Sequence, residues 1–387
     1  MTRTPSVSRC TLPALALAAA ALAGCASPYS QTPRARNVIL FLGDAGGIPT
    51  LSAASIHGYG EPRRLFIHGM PNIALAETTA ASDWVTDSAA GMTAIVTGQK
   101  TNNGVVAQSS TAIRRKRDGE PLKTILEYAE ERGLSTGLVT NSSVLSATPA
   151  ACYAHVNDRS NEPEIFTQLL SPRFGDGVDV IIGGGRNGVL KAAAAGGLDA
   201  AEALKAKGYE VHDALDSVPA TARRVVVLPA DELEIAIAVT RALDVLSRNP
   251  NGFFLMVESD LHTEQLVGGL DRAVQLDRAI KDTVARMGGG TLVIFTADHS
   301  YDLRVHDGDR GAPLLPGLDA AYGDDEDSVR LDNVRRDNDH TGEEVIVAAA
   351  GPGAERVRGV LSNVDLFDIM RSAYGWPASA SPAQPRR

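Results

Sequence analysis

The 387-residue chain has little of what marks several common classes of protein. It has three cysteines, 5% aromatic residues and fewer basic than acidic side chains, 37 against 47. The formal net charge of -10 excludes a protein that binds nucleic acid mainly through a basic surface. The one long apolar run, Leu12 to Ala23, is too short to cross a bilayer as a helix. The rest of the composition, 44% hydrophobic and 22% charged, is typical of a soluble globular domain.

The N-terminal residues resemble an export signal that ends in a lipid-attachment cysteine. Two arginines precede the apolar run, which ends in Leu22-Ala23-Gly24-Cys25. This pattern is typical of a bacterial lipoprotein, cleaved before Cys25 and lipidated on its sulfur; an ordinary secretory signal cut nearby is the alternative. We therefore predict a signal peptide over residues 1–24 and a polar tether over residues 25–35. The mature protein is expected in the periplasm or at the cell surface, attached to a membrane only through Cys25.

The three cysteines leave no pair for the mature domain. Cys10 is removed with the signal and Cys25 carries the anchor, so Cys152 stands alone. The domain therefore has no intrachain disulfide, although the protein is exported. Its stability must come from core burial, bound metals or both.

Apolar segments alternate with helical patterns along the rest of the chain. Continuous apolarity predicts strands that are covered on both faces. The predicted strands are Asn37–Gly43, Thr136–Thr140, Val178–Gly183, Arg224–Leu228, Phe253–Val257, Thr291–Thr296 and Glu344–Ala349. The predicted helices are Leu122–Glu131, Lys191–Lys207, Glu232–Arg248 and Leu270–Met287. This alternation predicts one α/β domain around a mostly parallel sheet over residues 36–376, before a disordered tail over residues 377–387.

Acidic and histidine side chains lie at the ends of several predicted strands. In open α/β sheets, functional groups collect beyond the carboxyl ends of the strands. One acid after a strand is often a helix cap, but several acids beside histidines predict a common site. The residues are Asp44, Glu258 and Asp260, Asp298 and His299, and His340, which precedes its strand and joins the site only if its loop folds back.

The segment Thr86–Ala90 places Ser88 at the start of an apolar, helix-like segment. The N-terminus of a helix favours an anion, but a serine hydroxyl needs a base or a metal to become a nucleophile. An Asp-Ser pair in this position is also a common N-cap. The acids and histidines above, with His262, supply ligands for more than one zinc or harder divalent ion. Two such ions about 4 Å apart can activate a nucleophile and stabilise a leaving oxygen.

These segments together resemble the bacterial alkaline phosphatase family. Any one motif has low specificity, but six in the family's order are highly specific, and the resemblance spans roughly Arg36 to Tyr374. It implies a three-layer α/β fold with helices on both faces of the sheet. The matching segments are Asn37–Asp44, Thr86–Ala90, Ala147–Ala151 with His155–Arg159, Val257–Glu258, Thr296–His299 and His340–Glu343.

The resemblance also implies a role for each matching residue. Ser88 matches the serine that is transiently phosphorylated, Arg159 the arginine that binds two phosphate oxygens, and Asp87 the acid that orients this arginine. The implied cofactors are two zinc ions and one magnesium ion. Their implied ligands are Ser88, Asp44, Asp298 and His299 for the inner zinc, Asp44, Thr148 and Glu258 for magnesium, and His340 for the outer zinc.

The sequence departs from the family at two places. The family has an Asp and a His, four residues apart, where this chain has Thr263 and Val267. Asp260 and His262 are alternate residues of an extended segment and so share a face, from which they are predicted to replace that pair. The alternative is that His262 is no ligand and the outer site is impaired. Ser146 stands where the family has an acid or a histidine, which predicts a magnesium site with more water or weaker binding.

The resulting prediction is an exported, lipid-anchored phosphomonoesterase whose ligands are phosphomonoesters and inorganic phosphate. A phosphodiesterase of the same superfamily, or a non-catalytic lipoprotein that binds metal or phosphate, remains an alternative. Arg159 favours the monoester because its two-pronged grip needs free phosphoryl oxygens. A Cys/Ser-x-Pro-x-Arg motif, which a sulfatase would need, does not occur. No nucleic-acid partner is predicted, and the natural substrate and the oligomeric state stay open.

Overall fold

A ten-stranded sheet is the centre of the computed structural model, which describes residues 1–2, 34–318 and 328–377. The order of its strands across the sheet is β13-β2-β12-β8-β1-β7-β3-β4-β6-β5. Numbered in chain order, the strands are β1 (Asn37–Asp44), β2 (Asn72–Glu77), β3 (Ser135–Ser143), β4 (Val180–Gly184), β5 (Glu210–His212), β6 (Val225–Val227), β7 (Phe253–Asp260), β8 (Thr291–Thr296), β9 (Ser300–Val305), β10 (Ser328–Arg330), β11 (Val334–Thr341), β12 (Val345–Ala350) and β13 (Gly359–Ser362).

Helices cover both faces of this sheet. They are α1 (Ile48–Tyr59), α2 (Ser88–Thr97), α3 (Ile125–Glu131), α4 (Ala147–Ala150), α5 (Glu162–Leu170), α6 (Arg186–Ala195), α7 (Ala200–Ala206), α8 (Ile235–Leu246), α9 (Leu266–Met287) and α10 (Asp365–Ala373). Short 3-10 helices lie at Phe66–Gly69, Leu215–Ser217, Gly288–Gly290 and Ala354–Arg356.

The sheet separates two apolar layers, as alternate side chains of its strands require. In β1, Val38, Leu40 and Leu42 face one layer, which includes residues of α2, α3, α5 and α10. Ile39 and Phe41 face the other, which includes residues of α1, α8 and α9. All eight residues of β1 are buried, which explains why its sequence is apolar without alternation. The predicted three-layer α/β fold is confirmed.

The strands at the centre run parallel. β1 pairs in parallel with β7 on one side and β8 on the other, so the ends of all three strands lie side by side. β12 is antiparallel to both of its neighbours, β8 and β2. The carboxyl ends of β1, β7 and β8 therefore form one edge, and their last residues are adjacent.

A small antiparallel sheet lies next to this edge. It has the order β10-β11-β9, and β9 begins just after the end of β8. In its register His340 pairs with Tyr301 and Thr341 with Ser300. The fold-back that His340 needed is made by this pairing between β11 and β9.

The predicted elements differ from the structure mainly at their ends. β7 continues through Glu258 to Asp260, so both acids belong to the strand and do not follow it. The predicted helix Lys191–Lys207 is two helices, because the chain turns at Gly196 and Gly197 before Asp199 caps α7. Helix α9 begins four residues earlier than predicted, at Leu266. Strands β2, β5, β9, β10, β11 and β13 were not predicted because they are short or carry polar residues.

Several predictions lie outside the described residues, including the signal peptide cleavage site, Cys25 and nearly all of the C-terminal tail. None of the helices in the described ranges has both the length and the apolarity of a bilayer-crossing segment. Cys152 is a buried free thiol.

Candidate active site

Ser88 is the first residue of α2, and its side chain is free of any capping role. The carboxylate of Asp87 is the N-cap and accepts a hydrogen bond from the backbone N–H of Ala90 at 3.0 Å. Ser88 is buried, and its Oγ lies 3.4 Å from Asp44 Oδ1 and 3.4 Å from His299 Nε2. The serine hydroxyl thus lies at a positive helix end beside a carboxylate and an imidazole.

Asp87 also connects α2 to Arg159. Its Oδ2 accepts hydrogen bonds from the backbone N–H of Gly104 at 2.8 Å and from the guanidinium of Arg159 at 3.2 Å. Asn103 Oδ1 accepts from the backbone N–H of Asp87 at 2.9 Å. Arg159 therefore lies beside the start of α2 with one side of its guanidinium fixed and the rest available to a ligand.

A first group of possible metal ligands lies between the ends of β1 and β8. One ligand atom from each of Asp44, Asp298 and His299 lies within 4.8 Å of the others. Asp298 is fully buried, and its Oδ2 has no hydrogen-bond partner among the described residues. His299 Nδ1 lies 3.0 Å from the carbonyl oxygen of Ser300 and donates to it, while Nε2 lies 3.3 Å from Asp44 Oδ1.

A second group is formed by His262, His299 and His340, whose ligand atoms also lie within 4.8 Å of one another. His340 Nδ1 lies 3.2 Å from the carbonyl oxygen of Thr86, and His262 Nδ1 lies 2.8 Å from Asp260 Oδ1. All three rings thus use Nδ1 to donate to an oxygen. Such a donated hydrogen bond leaves Nε2 as the lone-pair nitrogen and is the usual arrangement behind metal-binding histidines.

A third, oxygen-rich set lies on the other side of Asp44. Thr148 Oγ1 lies 3.5 Å from Asp44 Oδ2, and the buried Glu258 accepts a hydrogen bond from Thr140 Oγ1. Carboxylate and hydroxyl oxygens are the ligands that magnesium prefers. Ser146 is the N-cap residue that precedes α4, and its side chain forms no capping hydrogen bond.

The structure gives the positions of the residues at which the sequence departs from the family pattern. Thr263 is fully buried and its hydroxyl has no partner among the described residues, while Val267 is 38% exposed on α9. Asp260 accepts from both the backbone N–H and Nδ1 of His262, at 2.9 and 2.8 Å. Asp260 thus contacts His262 on its Nδ1 side, and it belongs to neither of the two groups of possible ligands found among the described residues.

The pKa values show that the site brings several buried carboxylates close to one another and to histidines, which shifts their ionisation. Burial, followed by the charge of Asp44, raises the pKa of Glu258 to about 8 and that of Asp298 to about 6. Burial opposes ionisation of Asp44 too, but the hydrogen bond and charge of His299, with the charges of His262 and Arg159, hold its pKa well below the usual range. Buried carboxylates that resist ionisation, with an unpartnered oxygen on Asp298, fit divalent cations well.

Two histidines of the second group, His262 and His340, have pKa values that are shifted in opposite directions. Burial opposes the charge of His262, but the hydrogen bond to Asp260 and nearby carboxylates raise its pKa to about 9. Burial, together with the positive charges of His299 and His262, lowers the pKa of His340 to about 4. A cation would replace the proton on His262 and bind the neutral ring of His340 directly.

Sequence reasoning did not find three residues that shape this site. Tyr301 packs edge-on against His262, with ring centroids 5.1 Å apart, and donates from its hydroxyl to Glu264 at 3.2 Å. Thr140 donates to Glu258, and Gly104 binds Asp87 through its backbone. Only Gly104 had a signal, because Asn103-Gly104 matches the family's sequence after its nucleophile.

The geometry defines a class: a hydrolase in which metal ligands surround a serine at a helix N-terminus. The alkaline phosphatase family model matches residues 35–213 and 232–312. The chain is 32% identical to alkaline phosphatase from Escherichia coli (strain K12), over 88% of this chain and 86% of that protein. It is 31% identical to streptomycin-6-phosphate phosphatase from Streptomyces griseus, over 93% and 95%.

Solved structures of alkaline phosphatases are similar to this chain in fold. Alkaline phosphatase from the Antarctic bacterium TAB5 is 25% identical, with a TM-score of 0.73, and the match covers 90% of this chain and all of that one. A mutant of the TAB5 enzyme binds Mg in its M3 site. The chain belongs to the alkaline phosphatase family. It is a metal-dependent phosphatase that acts on phosphomonoesters and releases inorganic phosphate.

Proposed function

We propose that the protein hydrolyses phosphomonoesters through a phosphoserine on Ser88, at a site with two zinc ions and one magnesium ion. The observation that carries the proposal is the position of Ser88 Oγ, 3.4 Å from both Asp44 and His299 at the start of α2. The mapped family residues Asp44, Asp298 and His299 would hold the inner zinc with Ser88. Asp44, Thr148 and Glu258 would hold magnesium.

The ions, when bound, supply positive charge that activates a hydroxyl or a water and stabilises a leaving oxygen. The residues of the chain position the reaction. Arg159, fixed by Asp87, binds two phosphoryl oxygens and holds the phosphorus in line with Ser88 Oγ. The buried surroundings of Ser88 keep bulk water away from its hydroxyl.

The test of this mechanism is Ser88→Ala. Without the hydroxyl there is no nucleophile, so p-nitrophenyl phosphate turnover should fall at least about 1,000-fold, because linked catalytic groups act as a unit. Phosphate binding should persist, because Arg159 and the remaining metal ligands are unchanged. Isothermal titration with inorganic phosphate and steady-state kinetics check the two halves. Full turnover in the variant would disprove the phosphoserine route.

For the outer zinc we propose His262 and His340 as ligands, with Asp260 oriented behind His262 as its hydrogen-bond partner. The distance of 2.8 Å from Asp260 Oδ1 to His262 Nδ1 supports this division of roles. His262 then takes the place of the family's missing pair at Thr263 and Val267, as a single ligand in a tighter segment. Water would complete the coordination of the ion.

We also propose that the protein is exported and anchored by lipid on Cys25, with the catalytic domain over residues 36–376. The support is the sequence pattern of residues 1–25. Cys25→Ser should release the protein from the membrane fraction into the soluble exported fraction with its activity unchanged. Unchanged membrane association, measured by phosphatase assay after fractionation, would contradict the anchor. Cys152→Ser, at a buried free thiol, is the matched control.

A further inference from the structure

Four consecutive basic residues form an exposed turn close to Arg159. The turn spans residues 113–117, and we call it the basic turn. It is closed by two backbone hydrogen bonds between Ile113 and Arg117, both 2.9 Å long. Its basic side chains are those of Arg114, Arg115, Lys116 and Arg117, on a chain whose net charge is -10.

The basic turn is attached to the segment that carries Arg159. Asp158 accepts from Arg114 Nε at 2.9 Å and from Arg115 Nε at 2.6 Å. Asn157 Oδ1 accepts from the backbone N–H of Arg115 at 3.2 Å. Because Asn157 and Asp158 directly precede Arg159, the turn and the phosphate-binding arginine hold fixed positions relative to each other.

A second connection passes through Gly104. The side chain of Arg114 occupies the space that a Cβ on Gly104 would need, and φ of Gly104 is +78°. The backbone N–H of Gly104 donates to Asp87, and its carbonyl accepts from the backbone N–H of Arg159 at 2.8 Å. One glycine therefore separates Arg114 from the Asp87–Arg159 pair.

The backbone of the turn is strained in a way that points to a role. Arg115 has φ of +60°, a left-handed conformation that is uncommon for any residue other than glycine. Strain of this kind persists only where surrounding contacts enforce it. Here the contacts of Asn157 and Asp158 enforce it and direct the Arg115 side chain, which remains 65% exposed.

The basic turn has more positive charge than the neighbouring carboxylates can balance. Two carboxylates adjoin the four basic side chains: Asp158 pairs with Arg114 and Arg115, and Asp118, the next residue in the sequence, accepts from Gln108 and Asn157. The formal excess is two positive charges. Lys116 forms no ion pair within the described ranges. Because the basic turn is bonded to Asn157 and Asp158, directly before Arg159, we expect this excess to act on a ligand at Arg159 over about one Debye length, roughly 10 Å at 0.1 M salt.

We propose that the basic turn binds a second anionic group of the substrate, a carboxylate or another phosphate on the alcohol part. The inference rests on the proposed phosphomonoesterase activity and narrows it to phosphomonoesters that carry an additional negative charge. Phosphomonoesters with a cationic alcohol part are correspondingly disfavoured. Arg115 and Lys116 carry this preference, because Arg114 is held against Gly104.

A matched pair of substrates tests the proposal. Glycerol 3-phosphate and 3-phosphoglycerate have the same carbon skeleton, and the second has a carboxylate where the first has a neutral CH2OH. The wild-type protein should show the higher kcat/KM with 3-phosphoglycerate. In the double variant Arg115→Ala/Lys116→Ala this ratio should fall about two- to thirtyfold, since each of the two exposed ionic contacts contributes about 0.2–1 kcal/mol. For phosphoethanolamine, whose alcohol part is cationic, kcat/KM should be higher in the double variant than in the wild-type protein.

Two variants serve as controls. Arg223→Ala removes an exposed cation just before β6, at the amino edge of the sheet, and should leave the ratio unchanged. Arg115→Lys keeps the charge and should retain most of the preference. An unchanged ratio in the double variant, with glycerol 3-phosphate still hydrolysed, would overturn the proposal, as would an equal loss on both substrates. Hydrolysis of neither substrate by the wild-type protein would instead refute the proposed function.

Discussion

At the scale of single residues, Asp260 and His262 show how a hydrogen bond separates two roles. Both were predicted as zinc ligands because alternate residues of an extended segment share a face. The carboxylate of Asp260 accepts from Nδ1 of His262 at 2.8 Å and so controls which nitrogen of the ring has the lone pair. The same bond contributes to the high pKa of His262. Asp260 is thus better placed to orient a ligand than to be one.

This division predicts the effect of Asp260→Asn. An amide is a poorer partner for the ring than a carboxylate, so zinc affinity of the outer site should fall about 10- to 100-fold. Competition with a chromogenic chelator measures that affinity. Asp271→Asn makes the same change in the exposed pair that Asp271 forms with His57 at 2.9 Å, outside the metal groups. Equal zinc affinity of wild type and Asp260→Asn would refute the orienting role.

At the scale of elements, the site depends on the close packing of α2 against the turn after β8. Gly91 sits on the side of α2 that faces Asp298, and a Cβ there would lie 3.0 Å from both the Cβ and the backbone oxygen of Asp298. A backbone oxygen cannot rotate away as a flexible side chain can. The missing side chain at position 91 therefore allows the close approach of α2, which begins with Ser88, to Asp298, the proposed metal ligand.

Gly91→Ala should consequently impair activity more than stability. The new methyl group should shift Asp298 or α2, and a misplacement of about 1 Å can cost about 100-fold in rate. Overpacking costs about 1–3 kcal/mol, which the better helix propensity of alanine partly offsets. Kinetics with p-nitrophenyl phosphate and urea unfolding check both effects. In the control Gly188→Ala, on α6, the nearest atom lies at an ordinary 3.7 Å, and activity should not change; full activity of Gly91→Ala would contradict the argument.

At the scale of the whole molecule, the site buries carboxylates whose negative charge bound metal cations would balance. Glu258 and Asp298 are buried in the same region as Asp44, which disfavours their ionisation. The domain has one free thiol and no disulfide among the described residues. Metal binding should therefore contribute to folding stability as well as to catalysis.

The pH dependence of stability in the metal-free protein follows from these pKa values. The pKa of Glu258 is raised to about 8 and that of His262 to about 9, so both groups bind protons more tightly in the folded state. The free energy of unfolding should then decrease as pH rises from 6.5 to 9. The lowered pKa of His340, about 4, acts in the opposite direction only between about pH 4 and 6.5.

Urea unfolding at pH 6.5 and 9, with and without chelator, measures this dependence. Bound zinc and magnesium should reduce the slope, because cations replace the protons. Glu258→Gln should reduce the slope of the metal-free protein by removing one of the groups that release a proton in this pH range. A metal-free protein that is equally stable at both pH values would show that the buried charges are balanced in another way.

Much of this architecture was predictable from the sequence, because it depends on local patterns. Continuous apolar runs identified seven strands of the central sheet, and acids at the ends of β1, β7 and β8 had to meet, since parallel strands share a carboxyl edge. The order of six motifs identified the family. The helix break at Gly196 was missed because its signal is too short for a periodicity to appear, and β11 was missed because its residues are nearly all polar.

The sequence by itself determined the fold class, the nucleophile candidate and the edge of the sheet where the site lies. Only the tertiary structure decided how individual atoms are used. Asp87, and not Ser88, caps α2; Asp260 lies behind His262; and His340 reaches the site through pairing of β11 with β9. These outcomes depend on contacts between residues far apart in the chain, such as Thr86 and His340. Side-chain direction at such contacts is set by packing and hydrogen bonds, about which local sequence patterns carry no information.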